Sequence, residues 1–89
     1  HVLRWNAAAT ASRQQQLSAA LGRPQMAAGD AVADLVADLG LPTRLRDVGI
    51  KHEQLPAIAE EAAKNPVVLS NPRAVTGAAD VLEIVRAAW

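Results

Sequence analysis

Ala28-Gly29-Asp30-Ala31-Val32-Ala33-Asp34-Leu35-Val36-Ala37-Asp38-Leu39-Gly40 is the stretch that decides the fold. Ala28, Val32, Leu35, Val36 and Leu39 recur at i, i+4, i+7, i+8 and i+11, the spacing that lines up side chains along one face of a helix. Asp30, Asp34 and Asp38 fall on the other face, and Gly40 supplies the left-handed residue with which helices commonly end. Strand-like alternation is sustained nowhere in the chain. A helix over 28–39 is therefore expected, and helices are expected on either side of it.

Upstream, Val2, Leu3 and Trp5 make 1–6 apolar enough to be the end of a helix truncated before His1. Thr10 is placed as the N-cap of a helix over 10–21, with Leu17, Ala20 and Leu21 on one face and Gly22 as its stop. Downstream, Leu41-Pro42-Thr43 restarts the chain into a short helical turn over 44–48, closed by Gly49. A helix over 53–64 follows, with Leu55, Ile58, Ala59, Ala62 and Ala63 on its apolar side and Pro56 in its first turn. Asn65-Pro66 ends it, because a residue before proline avoids the α region. Val67 to Arg73 reads as extended connection with two prolines close by. Thr76 is expected to cap a last helix over 77–88 that buries Val81, Leu82, Val85, Ala88 and Trp89. The fold class is all-α: four helices plus a short helical turn, and no sheet.

The composition suits this reading and narrows the functions available. Of 89 residues 20 are alanine, the best helix former, whereas Val, Ile and Leu together number 22 and the only aromatics are two tryptophans. That is a thin core for a chain of this length. There is no cysteine, which excludes a disulfide scaffold, a cysteine-ligated metal and a thiol nucleophile. Nine Lys and Arg balance nine Asp and Glu, so no basic footprint for nucleic acid or an anionic membrane is present. No run is long and apolar enough for a membrane span. The chain starts at His1 without an initiator methionine, so a piece of something longer is expected.

Each group that might carry chemistry also has a plainer explanation. His1 and His52 stand far apart without a third ligand at metal-binding spacing, and His52-Glu53 reads as a surface capping pair. Asp30, Asp34 and Asp38 read as a solvated stripe, since like charges at that spacing cost only a few tenths of a kcal/mol per pair. Arg44 and Arg46, which bracket Leu45, could grip an anion; alternatively they run along the surface and pair with Asp47 or the acidic stripe. Ser12, Ser18 and Ser70 have no His and Asp nearby in sequence to activate them. The five glycines are scattered singly rather than gathered into a phosphate-binding loop.

Three blocks go beyond composition: His1-Val2-Leu3-Arg4-Trp5-Asn6-Ala7, Leu41-Pro42-Thr43-Arg44-Leu45-Arg46-Asp47-Val48-Gly49, and Asn71-Pro72-Arg73-Ala74-Val75-Thr76 before a terminal helix. In this order they resemble the C-terminal end of the iron-containing (group III) alcohol dehydrogenase family, over essentially the whole chain. Asn65-Pro66 with Asn71-Pro72-Arg73 and the closing Ala87-Ala88-Trp89 look most like the family's maleylacetate reductases. The same blocks are shared with its lactaldehyde and alkyl-alcohol enzymes. Ala8 and Ala74 stand where the family often has proline.

The resemblance implies the distal part of a dehydroquinate-synthase-like C-terminal helical domain. The intact enzymes join such a domain to an N-terminal domain that binds NAD(P)H, and they hold a divalent metal, Fe or Zn. It implies a cytoplasmic oxidoreductase that reduces maleylacetate in aromatic-compound degradation, or another group III enzyme acting on small alcohols and aldehydes. The family's metal ligands lie before His1, so no metal, cofactor or catalytic residue is carried over to this chain. Arg4, Trp5, Asn6, Val67, Val68, Asn71 and Arg73 are carried over as cleft-lining candidates, although an Arg after Asn-Pro beside a capped helix is better explained as a clamp on loop carbonyls. The expected partners are the rest of the parent chain, namely its nucleotide-binding domain and metal-bearing helices, and further copies in a homo-oligomer. The alternative is a stand-alone helical module for interaction or oligomerisation.

Overall fold

The computed structural model describes residues 1–89 and contains helices and turns only. The α-helices are α1 (Val2–Trp5), α2 (Ala11–Ala20), α3 (Ala28–Asp38), α4 (Leu55–Ala62), α5 (Pro66–Leu69) and α6 (Ala78–Ala88), with 3-10 turns at Leu45–Val48 and His52–Gln54. The all-helical class read from the sequence is the one observed. The chain forms two compact units, His1–Thr43 and Arg44–Trp89.

In the first unit α3 packs against both α1 and α2. Its buried residues are Trp5, Asn6, Ser18, Ala28, Gly29 and Ala31, so the helices meet mostly through small side chains. Leu35 and Leu39 lie on the same side of α3 as Ala28 and Ala31, yet both are exposed. The apolar face read for α3 is thus buried only in its first turns. The reason is reach: α1 is four residues long and α2 ten, and nothing in the unit covers the later turns of α3.

Thr10 precedes α2 but does not cap it in the way expected. Its hydroxyl donates to the Asn6 carbonyl (2.9 Å) and accepts from the Gln14 amide (3.0 Å). That same Gln14 amide nitrogen also donates to the Leu3 carbonyl at 2.7 Å, which ties α2 to α1. A hydroxyl with a carbonyl one turn back has an alternative to capping, and here it takes it. Ser18, buried within α2, likewise donates to the Gln14 carbonyl (3.1 Å).

The second unit is built on α4 against α6. Leu55 is fully buried, and Ala59, Val75 and Val81 form a cluster flanked by Ala62, Ala63, Val68, Leu82 and Val85. Burying one leucine side chain is worth roughly 2 kcal/mol. The expected helix over 53–64 opens instead as the His52–Gln54 turn, where the Gln54 side chain accepts the Lys51 backbone N–H at 2.8 Å. Gln54, rather than His52-Glu53, makes the capping contact.

Two further expectations are corrected here. Residues 66–69 are not extended but form one helical turn, because Asn65 Oδ1 accepts the Val67 N–H (2.9 Å) and Pro66 sits where helices tolerate proline. At α6 Thr76 is not the capping acceptor. The Asp80 carboxylate reaches back and accepts both the Thr76 N–H (2.7 Å) and its hydroxyl (2.8 Å), while Gly77 occupies the N-cap position. An ionised acceptor makes the stronger hydrogen bond, so the threonine donates. The glycine stops at 22, 40 and 49 take φ of 73°, 69° and 86°, the left-handed region.

Candidate functional site

The sequence-derived candidates fall in two groups, one in each unit. In the first, Arg4 lies across the start of α3, and its Nε and Nη2 donate to Asp30 Oδ1 at 3.1 and 2.6 Å. Gly29 makes this possible. A Cβ there would stand 2.7 Å from Arg4 Cγ, so only glycine lets the arginine stem run flat over the helix. Trp5 and Asn6 are buried beside it. A hollow of about 190 Å³ opens next to Arg4, with His1 and Thr43 at its polar edge and Leu3, Val32 and Val36 along its apolar wall.

The acidic stripe of α3 is consumed within this unit. Asp30 pairs with Arg4 (2.6 Å), Asp34 with Arg23 at 2.7 Å and Asp38 with Arg23 at 3.7 Å. All these side chains keep substantial contact with water, so each pair adds well under 1 kcal/mol and serves to set register.

In the second unit, α5 presents two apolar side chains to solvent and one to the core. Val67 is 77 % exposed and Leu69 52 %, whereas Val68 packs on the Ala59, Val75 and Val81 cluster. Hydrogen bonds hold the turn in place. Asn65 caps it, the Ser70 hydroxyl donates to the Val67 carbonyl (2.9 Å), and the Asn71 amide donates to the Arg73 carbonyl (2.6 Å). Its own network therefore fixes α5 as an exposed apolar knob. Hydrogen bonds from the Thr76 backbone, then from its hydroxyl, hold the Asp80 carboxyl below the usual carboxylate range, and the positive charge of Arg73 adds to this.

One cluster was not singled out from the sequence. The Trp89 indole N–H donates to the Ile50 carbonyl at 2.9 Å. The His52 ring meets the indole edge-on at 5.0 Å, and the Arg46 guanidinium lies 5.5 Å from the indole centroid. Arg44 Nη1 donates to the Ala87 carbonyl (3.1 Å), satisfying an acceptor left over at the C-terminal end of α6. Asp47 takes the backbone N–H of Arg44 rather than its side chain (3.1 Å). The two arginines and His52 thus fasten the end of α6. The alternation of Arg44 and Arg46 around Leu45 is visible in the sequence, but their targets, the Ala87 carbonyl for Arg44 and the Trp89 ring for Arg46, lie some forty residues on and leave no local signal.

These 89 residues bring no three His, Cys, Asp or Glu side chains together in a way that could hold a metal ion. A divalent metal centre does not fit the donors present, and no chemical step is derived through one. No helix is long and apolar enough to cross a membrane.

What the fold and these groups define is a pair of small helical units rich in alanine, carrying structural polar pins and an exposed apolar turn. Residues 1–89 match the model described as Fe-containing alcohol dehydrogenase family, C-terminal. The chain belongs to that family. It is similar to lactaldehyde reductase of Escherichia coli strain K12, at 34 % identity over 98 aligned positions that take in the whole chain and 25 % of the relative. It is also similar to 1,3-propanediol dehydrogenase of Citrobacter freundii, at 49 % identity over 43 residues, 48 % of the chain and 11 % of the relative. The enzyme of that name from Klebsiella pneumoniae is 44 % identical over 43 residues, again 48 % of the chain and 11 % of the relative. The chain spans about a quarter of the length of the lactaldehyde reductase it matches. No solved structure matches it.

Proposed function

We propose that these residues are the C-terminal helical part of an NAD(P)-linked, metal-dependent oxidoreductase that interconverts small alcohols and aldehydes. The observation that carries this is the family match over residues 1–89, joined to relatives whose names specify lactaldehyde and 1,3-propanediol. The metal and the nicotinamide would be held by other parts of a longer cytoplasmic protein, which would work as a homo-oligomer. Hydride would pass between cofactor and substrate in a cleft to which this chain contributes wall rather than reacting groups. Arg4, Val67, Asn71 and Arg73 are the wall residues proposed, with Trp5, Asn6 and Val68 as buried supports within their own units. The exposure of Val67 suits an apolar contact with a short carbon chain.

Maleylacetate is the narrower substrate suggested by the Asn65-Pro66 and Asn71-Pro72-Arg73 pairing. None of the three relatives named above is a maleylacetate reductase, and the alignment with lactaldehyde reductase takes in the whole chain. Small alcohols and aldehydes are therefore the class put forward.

The test is a coupled absorbance assay on the longer protein that contains this chain. Loaded with Fe2+ and given NADH or NADPH, it is expected to reduce lactaldehyde or 3-hydroxypropionaldehyde faster than maleylacetate. Faster turnover of maleylacetate would overturn the proposed substrate class, and no nicotinamide turnover with any of them would overturn the oxidoreductase reading.

A further inference from the structure

The loop between α2 and α3 holds the chain's single methionine against an arginine. Met26 Sδ lies 3.8 Å from Arg23 Nη1. The same Nη1 donates to Asp34 Oδ2 at 2.7 Å, and Nη2 stands 3.7 Å from Asp38. Arg23 therefore joins its own loop to two successive turns of α3, with the thioether as the weakest of its three acceptors. The Met26 N–H closes the loop on the Arg23 carbonyl (3.0 Å), and the Arg23 N–H bonds back to Ser18 (2.9 Å).

Met26 is exposed and lines two adjoining hollows of about 320 and 440 Å³, both open enough for a molecule the size of water. The other easily oxidised side chains are less available. There is no cysteine, Trp5 is buried, and Trp89 is half-buried with its N–H bonded.

We propose that Met26 is an oxidation site for peroxides, and that Arg23 grips the resulting sulfoxide so that oxidation tightens the 22–27 loop onto α3. In the step, a sulfur lone pair attacks one oxygen of hydrogen peroxide. The O–O bond breaks, an S–O bond forms and water leaves; sulfur is oxidised by two electrons, the peroxide is reduced, and no net proton is released. A sulfoxide in a packed core disrupts its surroundings. Here the new oxygen is a strong acceptor placed beside Arg23 Nη1, one of whose hydrogens is held by Asp34 while the other faces only the weak thioether.

Two consequences can be measured on the 89-residue chain. Because the Arg23 N–H draws on the sulfur lone pair, Arg23→Gln is expected to speed Met26 oxidation by hydrogen peroxide roughly two- to five-fold, read as a 16 Da gain in peptide mass spectrometry. Oxidised wild-type chain is expected to exchange the Arg23 and Met26 amides more slowly than the reduced chain. That slowing is expected to vanish in Arg23→Gln, and treatment of Met26→Leu with peroxide should change nothing. Equal oxidation rates in wild type and Arg23→Gln would overturn the proposal, as would faster amide exchange after oxidation or first attack at a tryptophan.

Discussion

The two units solve the same problem, holding short helices together, with different materials. In His1–Thr43 the buried positions are Ala28, Gly29, Ala31, Ser18 and Asn6 around one large ring, Trp5. In Arg44–Trp89 they are Leu55, Ala59, Val75 and Val81, with further aliphatic side chains packed around them. Small residues allow close approach but remove little apolar area from water. The first unit therefore sets its geometry through polar pins, Arg4 on Asp30, Arg23 on Asp34 and Gln14 on the Leu3 carbonyl. The second rests on burial and uses polar contacts mainly to shape its turns. Losing volume should hurt the second unit most, whereas adding volume should hurt the first.

The largest effect is expected at Leu55. Leu55→Ala removes a fully buried side chain and should cost about 2–5 kcal/mol, measured by urea unfolding followed through Trp89 fluorescence. A loss below about 1 kcal/mol would mean that the second unit does not depend on burial. In the first unit the matching change is Gly29→Ala, whose new methyl would meet Arg4 Cγ at 2.7 Å. Overpacking of this kind costs typically about 1–3 kcal/mol. Because the obstacle is a side chain, adding Arg4→Ala to the Gly29→Ala variant should restore most of the thermal stability. Gly77→Ala, whose new methyl meets nothing within 4 Å, is the control: it loses only the N-cap preference for glycine over alanine, about 1 kcal/mol or less, and Arg4→Ala should not rescue it. No rescue by Arg4→Ala would show that α1 and α3 do not touch at this point.

Asn65→Ala should remove the cap of α5 at a cost of about 1 kcal/mol, seen as faster exchange of the Val67 amide. The smallest effect is set by pH. The Asp80 carboxyl is held low by the Thr76 donors, so its folded pKa lies beneath its unfolded value of about 4. The stability it adds is complete above that unfolded value and is lost as pH falls through the lower folded one. Acid titration of the second unit should show this loss, and Asp80→Asn should be insensitive over the same range.

The comparison also explains what the sequence could tell. Helix existence was legible from spacing and from the glycines at 22, 40 and 49, because both are local. Where a helix face meets another element was not: Leu35 and Leu39 have the same pattern as Ala28 and Val32, and only the short reach of α1 and α2 leaves them exposed. Capping was misread at Thr10 and Thr76, where a competing acceptor lay one turn away. The extended reading fails only over Val67 to Leu69, because two prolines suggest extension although one of them, Pro66 after a capping Asn65, is a sound start for a helical turn. Gly29 inside α3 was the overlooked signal, since a glycine within a helix often marks a close approach. Among the cleft candidates, the outward Val67 and inward Val68 follow only from the helical turn of α5, which has no periodic signal in the sequence.

On the function proposed above, these residues supply the helical C-terminal part of an iron-type alcohol dehydrogenase. The direct test is to replace the matching quarter of Escherichia coli lactaldehyde reductase with this chain and measure NADH-dependent lactaldehyde reduction by the purified, iron-loaded chimera. Retained turnover is the result predicted. A chimera that folds, binds NADH and iron, and yet reduces no lactaldehyde would contradict it.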